Sequence, residues 1–299
     1  MKVFIPPIKC QGIKSKLTPW ILETMQWERD GRWIEPFMGS GVVGFNVRPA
    51  RAIFSDTNPH LINFYNALNS KKITPQIIRE YLEHEGSILS VKGQEYYYEV
   101  RERFNASGTS LDFLFLNRCC FNGVIRFNRK GGFNVPFGHK PLRFSKAYVT
   151  KIVNQSAYVS RLFSQSDYQF LCQDFEKTLS SVDDGDFIYC DPPYVGRHTD
   201  YYNGWNDTEE GRLYRALSTT PTPFILSTWH GNEHRDNVYI DAFWSRFSIH
   251  TKAHHYHVGA REINRKPMLE ALVCNYTLAK KAEQTSGAQQ VAFDLLALA

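Results

Sequence analysis

The sequence lacks the cysteine patterns that indicate a disulfide framework or a zinc site. Its six cysteines are scattered, and no two of them form a CxxC pair. Cysteines in this arrangement are typical of buried thiols in a reducing compartment. Three histidines, His254, His255 and His257, have no carboxylate or cysteine at ligand spacing. We therefore expect no metal site.

Long hydrophobic runs are also missing. The opening residues, MKVFIPPIK, lack the apolar stretch of a signal peptide, and no other run approaches the length of a membrane span. Internal repeats and low-complexity segments are absent. With 42% apolar and 22% charged residues, the sequence predicts an ordinary globular protein. We expect it to be cytoplasmic, with no membrane partner.

Acidic residues are missing from the segment 117–143, although the whole chain has a formal net charge of only +5. Its basic residues are Arg118, Arg126, Arg129, Lys130, His139, Lys140 and Arg143. Four phenylalanines lie between them. The pattern predicts two strands, 123–128 and 133–137, around a turn at 129–132. Such a basic ribbon can enter a DNA groove, although a solvated hairpin is the alternative.

The sequence Asp191-Pro192-Pro193-Tyr194 follows the apolar run 187–190. A short apolar run that stops at a double proline indicates a buried strand ending at the sheet edge. The Asp191 carboxylate and the Pro192 carbonyl are two acceptors that suit the N–H groups of an exocyclic amine, and Tyr194 offers a stacking face. The alternative is that Asp191 is a helix cap or a surface carboxylate.

A glycine turn and an acid predict a site for a nucleoside. Residues 33–37 read as a strand, and Gly39 and Gly41 lie in the turn to a helix that begins near Val42. A third glycine at dinucleotide spacing is missing, so a pyrophosphate cradle is not indicated. Asp56 ends the next strand, where an acid accepts ribose hydroxyls. Capping of the following helix is the alternative.

Two further groups are candidates for the same site. Asp174 and Phe175 follow the strand 168–172, where they could meet the adenine of a nucleoside cofactor; a helix N-cap is the alternative for Asp174. Lys14 lies in a basic loop at 6–17. That loop either brings lysines toward an anionic group or is simply solvated.

The order of elements predicts an α/β fold, with a mostly parallel Rossmann-like sheet and an antiparallel edge hairpin. Helical spacing in 61–69, 75–85, 94–104, 111–116 and 144–163 interrupts the alternation of strands and helices. We therefore expect a mainly helical insertion that carries the basic hairpin. The predicted division is a catalytic domain of residues 1–66 and 164–280, an inserted domain of residues 67–163, and a tail of residues 281–299.

This order of motifs resembles the Dam-like group of DNA adenine-N6 methyltransferases, whose target recognition domain lies between the cofactor and catalytic motifs. The resemblance covers residues 6–276. The matching residues are Pro6, Lys9, Gly12, Lys14 and Leu17, Glu35-Pro36-Phe37-x-Gly39-x-Gly41, Asp56-x-Asn58, Asn117-Arg118, Phe121-Asn122-Gly123-x-x-Arg126-Phe127-Asn128, Gly132-Phe133-Asn134-Val135-Pro136-Phe137-Gly138, Asp191-Pro192-Pro193-Tyr194 and Arg265-Lys266. Two positions depart from the family: Ile13 replaces a glycine, and His139 replaces the arginine usual in members that read GATC.

The resemblance implies an adenine-specific DNA methyltransferase that uses S-adenosylmethionine and flips its target base out of double-stranded DNA. The implied catalytic residues are Asp191, Pro192, Pro193 and Tyr194. The implied cofactor residues are Lys14, Phe37, Gly39, Gly41, Asp56, Asp174 and Phe175. The implied DNA-contacting residues are Lys9, Arg118, Phe121, Asn122, Val124, Arg126, Asn128, Pro136 and His139.

The expected target is a short GATC-like site or a variant of it, methylated for restriction-modification or for epigenetic marking. A cognate restriction endonuclease is the expected further partner, and the enzyme is expected to be a monomer or a weak dimer. The resemblance also implies a bacterial or phage-type protein. Three alternatives stay open from the residues alone. The first is methylation of cytosine at N4, and the second is a catalytically inactive DNA-binding protein of the same fold. The third, methylation of RNA or protein, is disfavoured by the long hairpin insert.

Overall fold

The computed structural model of the chain describes residues 2–194, 205–232, 235–255 and 267–278. His257, the Arg265-Lys266 pair and the tail at 281–299, all considered above, lie outside the described residues. Within the described ranges, none of the helices combines the length and the hydrophobicity that a bilayer crossing requires.

Strands and helices alternate up to residue 56 and again from residue 167 to residue 232, and five α-helices lie between these two parts of the chain. The strands are β1 Trp33–Glu35, β2 Arg51–Asp56, β3 Asp167–Cys172, β4 Phe187–Cys190, β5 Phe224–Asn232, β6 Arg235–Asp236, β7 Ser248–His255 and β8 Pro267–Cys274. The α-helices are α1 Thr18–Thr24, α2 Val42–Val47, α3 Pro59–Asn69, α4 Pro75–Lys92, α5 Gln94–Ser107, α6 Ser110–Cys119, α7 Lys146–Ser164, α8 Phe175–Leu179 and α9 Asp207–Ser218. Proline in the first turn and a capping side chain, Asn58 or Thr74, explain where α3 and α4 begin.

The strands form one mixed sheet in the order β3-β2-β1-β4-β5-β8-β7, with β6 paired to β5. The first five strands pair in parallel, and β8 pairs antiparallel with both β5 and β7. The predicted mostly parallel sheet with an antiparallel edge hairpin is confirmed. The strand order reverses between β1 and β4, which is where open α/β sheets form a crevice.

Successive residues of the central strands enter two different hydrophobic cores. Trp33 and Tyr189 belong to the first core, while Ile34 and Ile188 belong to the second. This alternation follows from the two-residue period of a strand and shows that both faces of the sheet are covered. Helices α8 and α9 contribute Phe175, Leu213 and Leu217 to the second core.

The helices between β2 and β3 pack on the first face of the sheet. Leu82 of α4, Tyr97 of α5 and Phe113 of α6 lie in the same core as Trp33. The insertion also contains buried acids: Glu85 accepts a hydrogen bond of 2.9 Å from the Tyr96 hydroxyl. The predicted helical insertion is thus confirmed, and its interior is continuous with that of the sheet.

The basic segment forms an irregular hairpin rather than the two continuous strands expected. Only two isolated antiparallel bridges hold it among the described residues, Cys120 to Phe137 and Phe127 to Phe133. Asn122 has a φ of 54°, outside the extended region, and the Phe133 amide donates to Asn105 Oδ1 of α5 at 2.8 Å. The conformation of Asn122 interrupts the extended backbone, and Asn105 of α5 binds the Phe133 amide on the side that faces away from Phe127.

Candidate active site

A cavity of about 400 Å³ opens at the carboxyl ends of β1 and β4. Its walls come from the N-terminal loop, the ends of β1, β2 and β4, and the first turns of α8 and α9. The sequence-predicted residues that line it are Lys14, Phe37, Gly39, Asp56, Asp174, Phe175, Asp191, Pro192, Pro193 and Tyr194. The fold therefore brings both predicted groups, catalytic and cofactor-binding, into one space.

Asp191 forms a close ion pair in this cavity. Lys14 Nζ lies 2.6 Å from Asp191 Oδ1, and the lysine side chain is only 5% exposed. Burial raises the pKa of Asp191, and the neighbouring Lys14 ammonium opposes that rise. Asp191 is therefore an internal carboxylate of the site rather than a cap or a surface acid, and Lys14 is not part of a solvated loop.

Tyr194 lies beside this pair and is held from the other side. Lys14 Nζ is 5.0 Å from the centre of the Tyr194 ring. The Tyr194 hydroxyl donates a 2.9 Å hydrogen bond to Glu270 Oε2, and Glu270 is 1% exposed on β8. Burial raises the pKa of the Tyr194 hydroxyl well above its usual value, so it stays a donor.

Glu35 also lines the cavity. From the sequence it was named only as part of the glycine motif that begins at Glu35. Its carboxylate oxygen Oε2 accepts from Trp33 Nε1 at 2.7 Å and from the Gly44 amide at 3.0 Å. Burial raises the pKa of Glu35 to about 8, more than these two hydrogen bonds lower it. The site thus contains a carboxyl group whose pKa lies well above its usual value.

The two glycines of the predicted turn differ in role. Gly39 has a φ of 47°, and a Cβ placed there would meet nothing within 4 Å, so its α-carbon faces open space. Gly41 has a φ of 71°, and a Cβ there would lie 2.5 Å from the Phe45 ring. Gly39 allows a ligand to approach the backbone, whereas Gly41 does not line the cavity and instead allows α2 to pack.

Asp56 points into the turn rather than capping a helix. Its Oδ2 accepts from the Gly39 amide at 3.1 Å, and its Oδ1 accepts from the Asn58 amide at 2.9 Å. Asn58 is the residue that caps α3, by accepting from the amides of His60 and Leu61. The capping alternative for Asp56 is therefore wrong, and its carboxylate lies at the cavity edge.

Three aromatic rings form one wall of the cavity. The Phe37 and Phe175 rings are stacked with centroids 5.2 Å apart. Trp205, from the segment before α9, lies 5.4 Å from Phe37 and 5.7 Å from Phe175. Such a wall suits a flat heteroaromatic ring. Trp205 was missed from the sequence because it lies 30 residues beyond Phe175 with no motif around it.

Asp174 caps α8, as its alternative interpretation predicted, and also borders the cavity. Its Oδ1 accepts from the Glu176 amide at 2.9 Å and from Arg212 at 2.9 Å. The Arg212 guanidinium lies 4.9 Å from the centre of the Phe175 ring. Arg212 on α9 was not predicted from the sequence, since nothing local signals its contact with α8.

The predicted DNA-contacting residues are only partly exposed. Phe121 is 52% exposed, and four others are exposed as well: Asn122, Asn128, Pro136 and His139. Val124 and Arg126 are half-buried. Lys9 is partly buried, and burial together with the nearby Arg143 and Arg118 lowers the pKa of Lys9 to about 8.

Arg118 is buried and does not reach the surface. It is 3% exposed, and its guanidinium donates to the Pro7 carbonyl at 2.8 Å and to Gln155 Oε1 at 3.4 Å. The Tyr148 ring packs 5.0 Å from it. The expectation that Arg118 contacts DNA is therefore not met in the free protein, where this arginine joins the N-terminal loop to the insertion.

The hairpin adjoins the cavity through Ile125, which lines it. Next along the chain, Arg126 donates to Asn134 Oδ1 at 2.8 Å and to the Asn134 carbonyl at 3.2 Å. Asn128 Oδ1 accepts from the amides of Lys130 and Gly132, which shapes the tip. The basic segment therefore extends directly from the mouth of the site.

The cavity lies at the switch point of a mostly parallel sheet, which is the fold and the site position of Rossmann-like methyltransferases. The family model for D12 class N6 adenine-specific DNA methyltransferases matches residues 11–258, and the chain belongs to this family. It is an enzyme that methylates adenine in DNA at N6, which disfavours the N4-cytosine alternative. No group of metal-ligating side chains is found among the described residues.

Individual relatives agree with the family. The chain is 36% identical over 260 residues to a DNA adenine methylase of Haemophilus influenzae, covering 82% of this chain and 86% of that one. It is 32% identical over 249 residues to the type II methyltransferase M.MjaIII of Methanocaldococcus jannaschii, covering 74% and 83%. A solved structure of an rRNA methyltransferase from Streptomyces viridochromogenes matches 87% of this chain and 83% of its own at 13% identity, with a TM-score of 0.33.

Proposed function

We propose that the methyl donor is S-adenosylmethionine and that it binds between the ends of β1 and β2. Three features support a nucleoside ligand there: the open backbone at Gly39, the carboxylate of Asp56, and the stacked pair Phe37 and Phe175. Asp56 would hold the ribose hydroxyls, and the aromatic wall would hold the adenine ring. When bound, the donor supplies a methyl group on a sulfonium centre.

We propose that Asp191, Pro192 and Tyr194 hold the target adenine after it has been flipped out of the duplex. The Asp191 carboxylate and the Pro192 carbonyl would accept the two N–H groups of the amine. Tyr194 would stack on the base. As positive charge develops on the amine nitrogen, these two acceptors stabilise it, and Asp191 can take the proton that leaves. The Lys14–Asp191 ion pair, 2.6 Å long, supports this role because the ammonium opposes the rise in the pKa of Asp191 that burial causes.

We propose that residues 67–163 recognise the target sequence, a GATC-like site or a variant of it. This division begins in the last turn of α3 and ends in the last turn of α7. The exposed Phe121 is suited to fill the gap left by the flipped base. His139 would contact the position that arginine reads in GATC-specific members. Imidazole does not bond guanine in a bidentate way, so a different first base is expected.

The setting follows from the chemistry. We propose that the enzyme acts inside the cell, where its DNA substrate is, as a monomer or a weak dimer. The type II name of the relative M.MjaIII supports a restriction-modification role with a cognate endonuclease. Epigenetic marking is the other role proposed, and the DNA adenine methylase name of another relative supports it.

The observation that carries the proposal is the common cavity of Asp191, Lys14, Phe37 and Asp56. The test is to incubate the enzyme with unmethylated DNA and S-adenosylmethionine carrying a labelled methyl group, and then to digest the DNA to nucleosides. Label in N6-methyl-2′-deoxyadenosine is expected. Asp191→Ala should abolish transfer and keep donor affinity, whereas the exposed Asp184→Ala should behave as wild type. A fully active Asp191→Ala enzyme, or no transfer by wild type, would contradict the proposal.

The recognition proposal has its own test. Mapping of methylated adenines in a random-sequence duplex library defines the target of the wild-type enzyme. Arg126→Ala should relax one position by about 1–3 kcal/mol if the guanidinium reads a base edge. Arg129→Ala, at the exposed tip, should leave the sequence preference unchanged. An unaltered preference in Arg126→Ala would remove this residue from base reading.

A further inference from the structure

Glu270 is a carboxylate placed in an apolar strand. The four residues that follow it in β8, Ala271 to Cys274, have no exposed surface, and Glu270 itself is 1% exposed. A buried carboxylate is costly unless hydrogen bonds compensate for its lost hydration. An apolar residue would be the cheaper choice in such a strand. The position of this acid therefore calls for an explanation.

The hydrogen bond to Tyr194 provides one. The Tyr194 hydroxyl lies 2.9 Å from Glu270 Oε2, although the two residues are 76 positions apart in the chain. Because strand residues alternate, Glu270 projects from the same face as Leu272 and Cys274, which is the face of the first core. That face also includes Tyr189, two residues before Asp191. Glu270 therefore lies on the side of the sheet where residues 191–194 leave β4.

The contacts continue to the reacting groups. The Tyr194 ring lies 5.0 Å from Lys14 Nζ, which is 2.6 Å from Asp191 Oδ1. Tyr194 lines the cavity, and Glu270 lies behind it. A ring fixed at its hydroxyl end can rotate less about its side-chain bonds, so its stacking face is already oriented before a base arrives.

We propose that Glu270 is a positioning residue for methyl transfer: by accepting the hydrogen bond of Tyr194, it holds the ring in the orientation on which the flipped adenine stacks. This inference rests on the function proposed above for Tyr194. Glu270 touches neither base nor donor in this arrangement. Its hydrogen bond acts through the tyrosine, while its negative charge also raises the pKa of Asp191.

The test is a double-mutant cycle on the rate of a single turnover, measured with saturating DNA and S-adenosylmethionine. Tyr194→Phe and Glu270→Ala should each slow transfer about tenfold, because a hydrogen bond to a charged group corresponds to about one to two powers of ten in rate. The double variant should be no slower than either single variant, since both changes break the same bond. Losses that multiply to about a hundredfold would overturn the proposal.

Two further readouts separate positioning from a general structural role. Glu270→Gln keeps an acceptor of the same size and should stay within about threefold of the wild-type rate; a rate as low as that of Glu270→Ala overturns the proposal. Affinity for S-adenosylmethionine should be unchanged in all variants, and a loss of it would also overturn the proposal. If Glu270→Ala does not fold, the single-turnover rate of Tyr194→Phe is the deciding measurement. A wild-type rate in Tyr194→Phe would then overturn the inference.

The insertion offers a matched control. Glu85 is also buried and also accepts a 2.9 Å hydrogen bond from a tyrosine, Tyr96, but it lies away from the cavity. Glu85→Ala and Tyr96→Phe should lower the unfolding temperature and leave the single-turnover rate of the folded enzyme unchanged; equal slowing in this pair would overturn the proposal. If Asp191→Ala is inactive while Glu270→Ala and Tyr194→Phe both keep the wild-type single-turnover rate, this inference is refuted and the proposed function is not.

Discussion

Lys14 Nζ lies 2.6 Å from Asp191 Oδ1 and joins two segments that are 177 residues apart in the chain. The lysine comes from the N-terminal loop, and the aspartate comes from the end of β4. Burial raises the pKa of this carboxylate, and the Lys14 ammonium opposes that rise. The ion pair therefore couples the position of the loop to the ionisation of the group that accepts the amine.

This pair predicts a shift in the pH profile of Lys14→Met. Burial already raises the pKa of Asp191, and the lysine opposes that rise, so the pKa should rise further in the variant. Since the ionised carboxylate is the working form, activity should be lost at a higher pH than in wild type as the pH falls. At neutral pH kcat/KM should drop on the order of tenfold. The measurement is kcat/KM against pH.

The control for that experiment is Lys16→Met, because Lys16 is an exposed lysine of the same loop. Its pH profile should match that of the wild type. An acidic limb that stays in place in Lys14→Met would show that the lysine does not govern Asp191.

Glu35 predicts a pH-dependent stability. Its pKa in the folded protein is about 8, above the usual value of 4.5, so the folded state holds a proton that the unfolded state releases between these pH values. The contribution of Glu35 to stability is therefore highest below about pH 4.5 and decreases as the pH rises to about 8. Glu35→Gln, which stays neutral, should be more stable than wild type at pH 9 by a few kcal/mol, at about 1.4 kcal/mol per pKa unit.

Urea unfolding at pH 6 and pH 9 measures this difference. The gap between Glu35→Gln and wild type should be larger at pH 9, and Glu28→Gln, an exposed site, should show no such change. An equal gap at both pH values would mean that Glu35 does not titrate in this range.

The two glycines of the β1–α2 turn predict opposite phenotypes. In Gly39→Ala the methyl group enters the cavity, so affinity for S-adenosylmethionine should fall about tenfold or more, while the strain of a left-handed residue costs only about 1–2 kcal/mol. In Gly41→Ala the methyl group meets the Phe45 ring. That variant should mainly lose stability, by about 1–3 kcal/mol in addition to the strain.

Calorimetric titration with the donor and thermal unfolding distinguish the two variants. If Gly41→Ala loses as much donor affinity as Gly39→Ala and keeps its unfolding temperature, then Gly41 contacts the donor, as the sequence predicted.

Arg118 and Arg129 separate a structural arginine from a DNA-contacting one. Arg118→Ala removes a buried guanidinium and its bond to the Pro7 carbonyl, so the free energy of unfolding should fall by about 2–4 kcal/mol. Arg129→Ala, at the exposed tip, should keep its stability and weaken DNA binding with a salt slope lower by about 1.

Urea unfolding and DNA titrations at several salt concentrations measure both effects. If folded Arg118→Ala keeps its stability and loses DNA affinity instead, then Arg118 must turn outward when DNA binds.

Most of the fold could be predicted because its strands are short apolar runs with clear ends. Phe187–Cys190 stops at Pro192-Pro193, and Arg51–Asp56 stops just before the cap of α3. The basic hairpin was less predictable. Its alternating pattern is typical of strands, but Asn122 has a φ of 54°, which interrupts the extended backbone. The alternation of side chains contains no information about such a backbone conformation.

The site was predictable where function depends on contiguous residues and not where it depends on packing. Asp191, Gly39 and Asp56 were identified from short motifs at strand ends. Trp205 and Arg212 reach the cavity from α9 and the segment before it, and only the folded arrangement reveals them. Arg118 shows the opposite error: a basic stretch suggested exposure, yet this one side chain turns inward against Pro7 and Gln155.

The hydrophobic core that Leu82, Tyr97 and Phe113 share with Trp33 has an evolutionary consequence. The helical insertion and the catalytic sheet share one hydrophobic core. Exchanging the whole insertion between relatives would therefore expose that core to water. New target preferences are then most readily acquired by replacing outward-facing side chains of the hairpin, such as His139, one at a time.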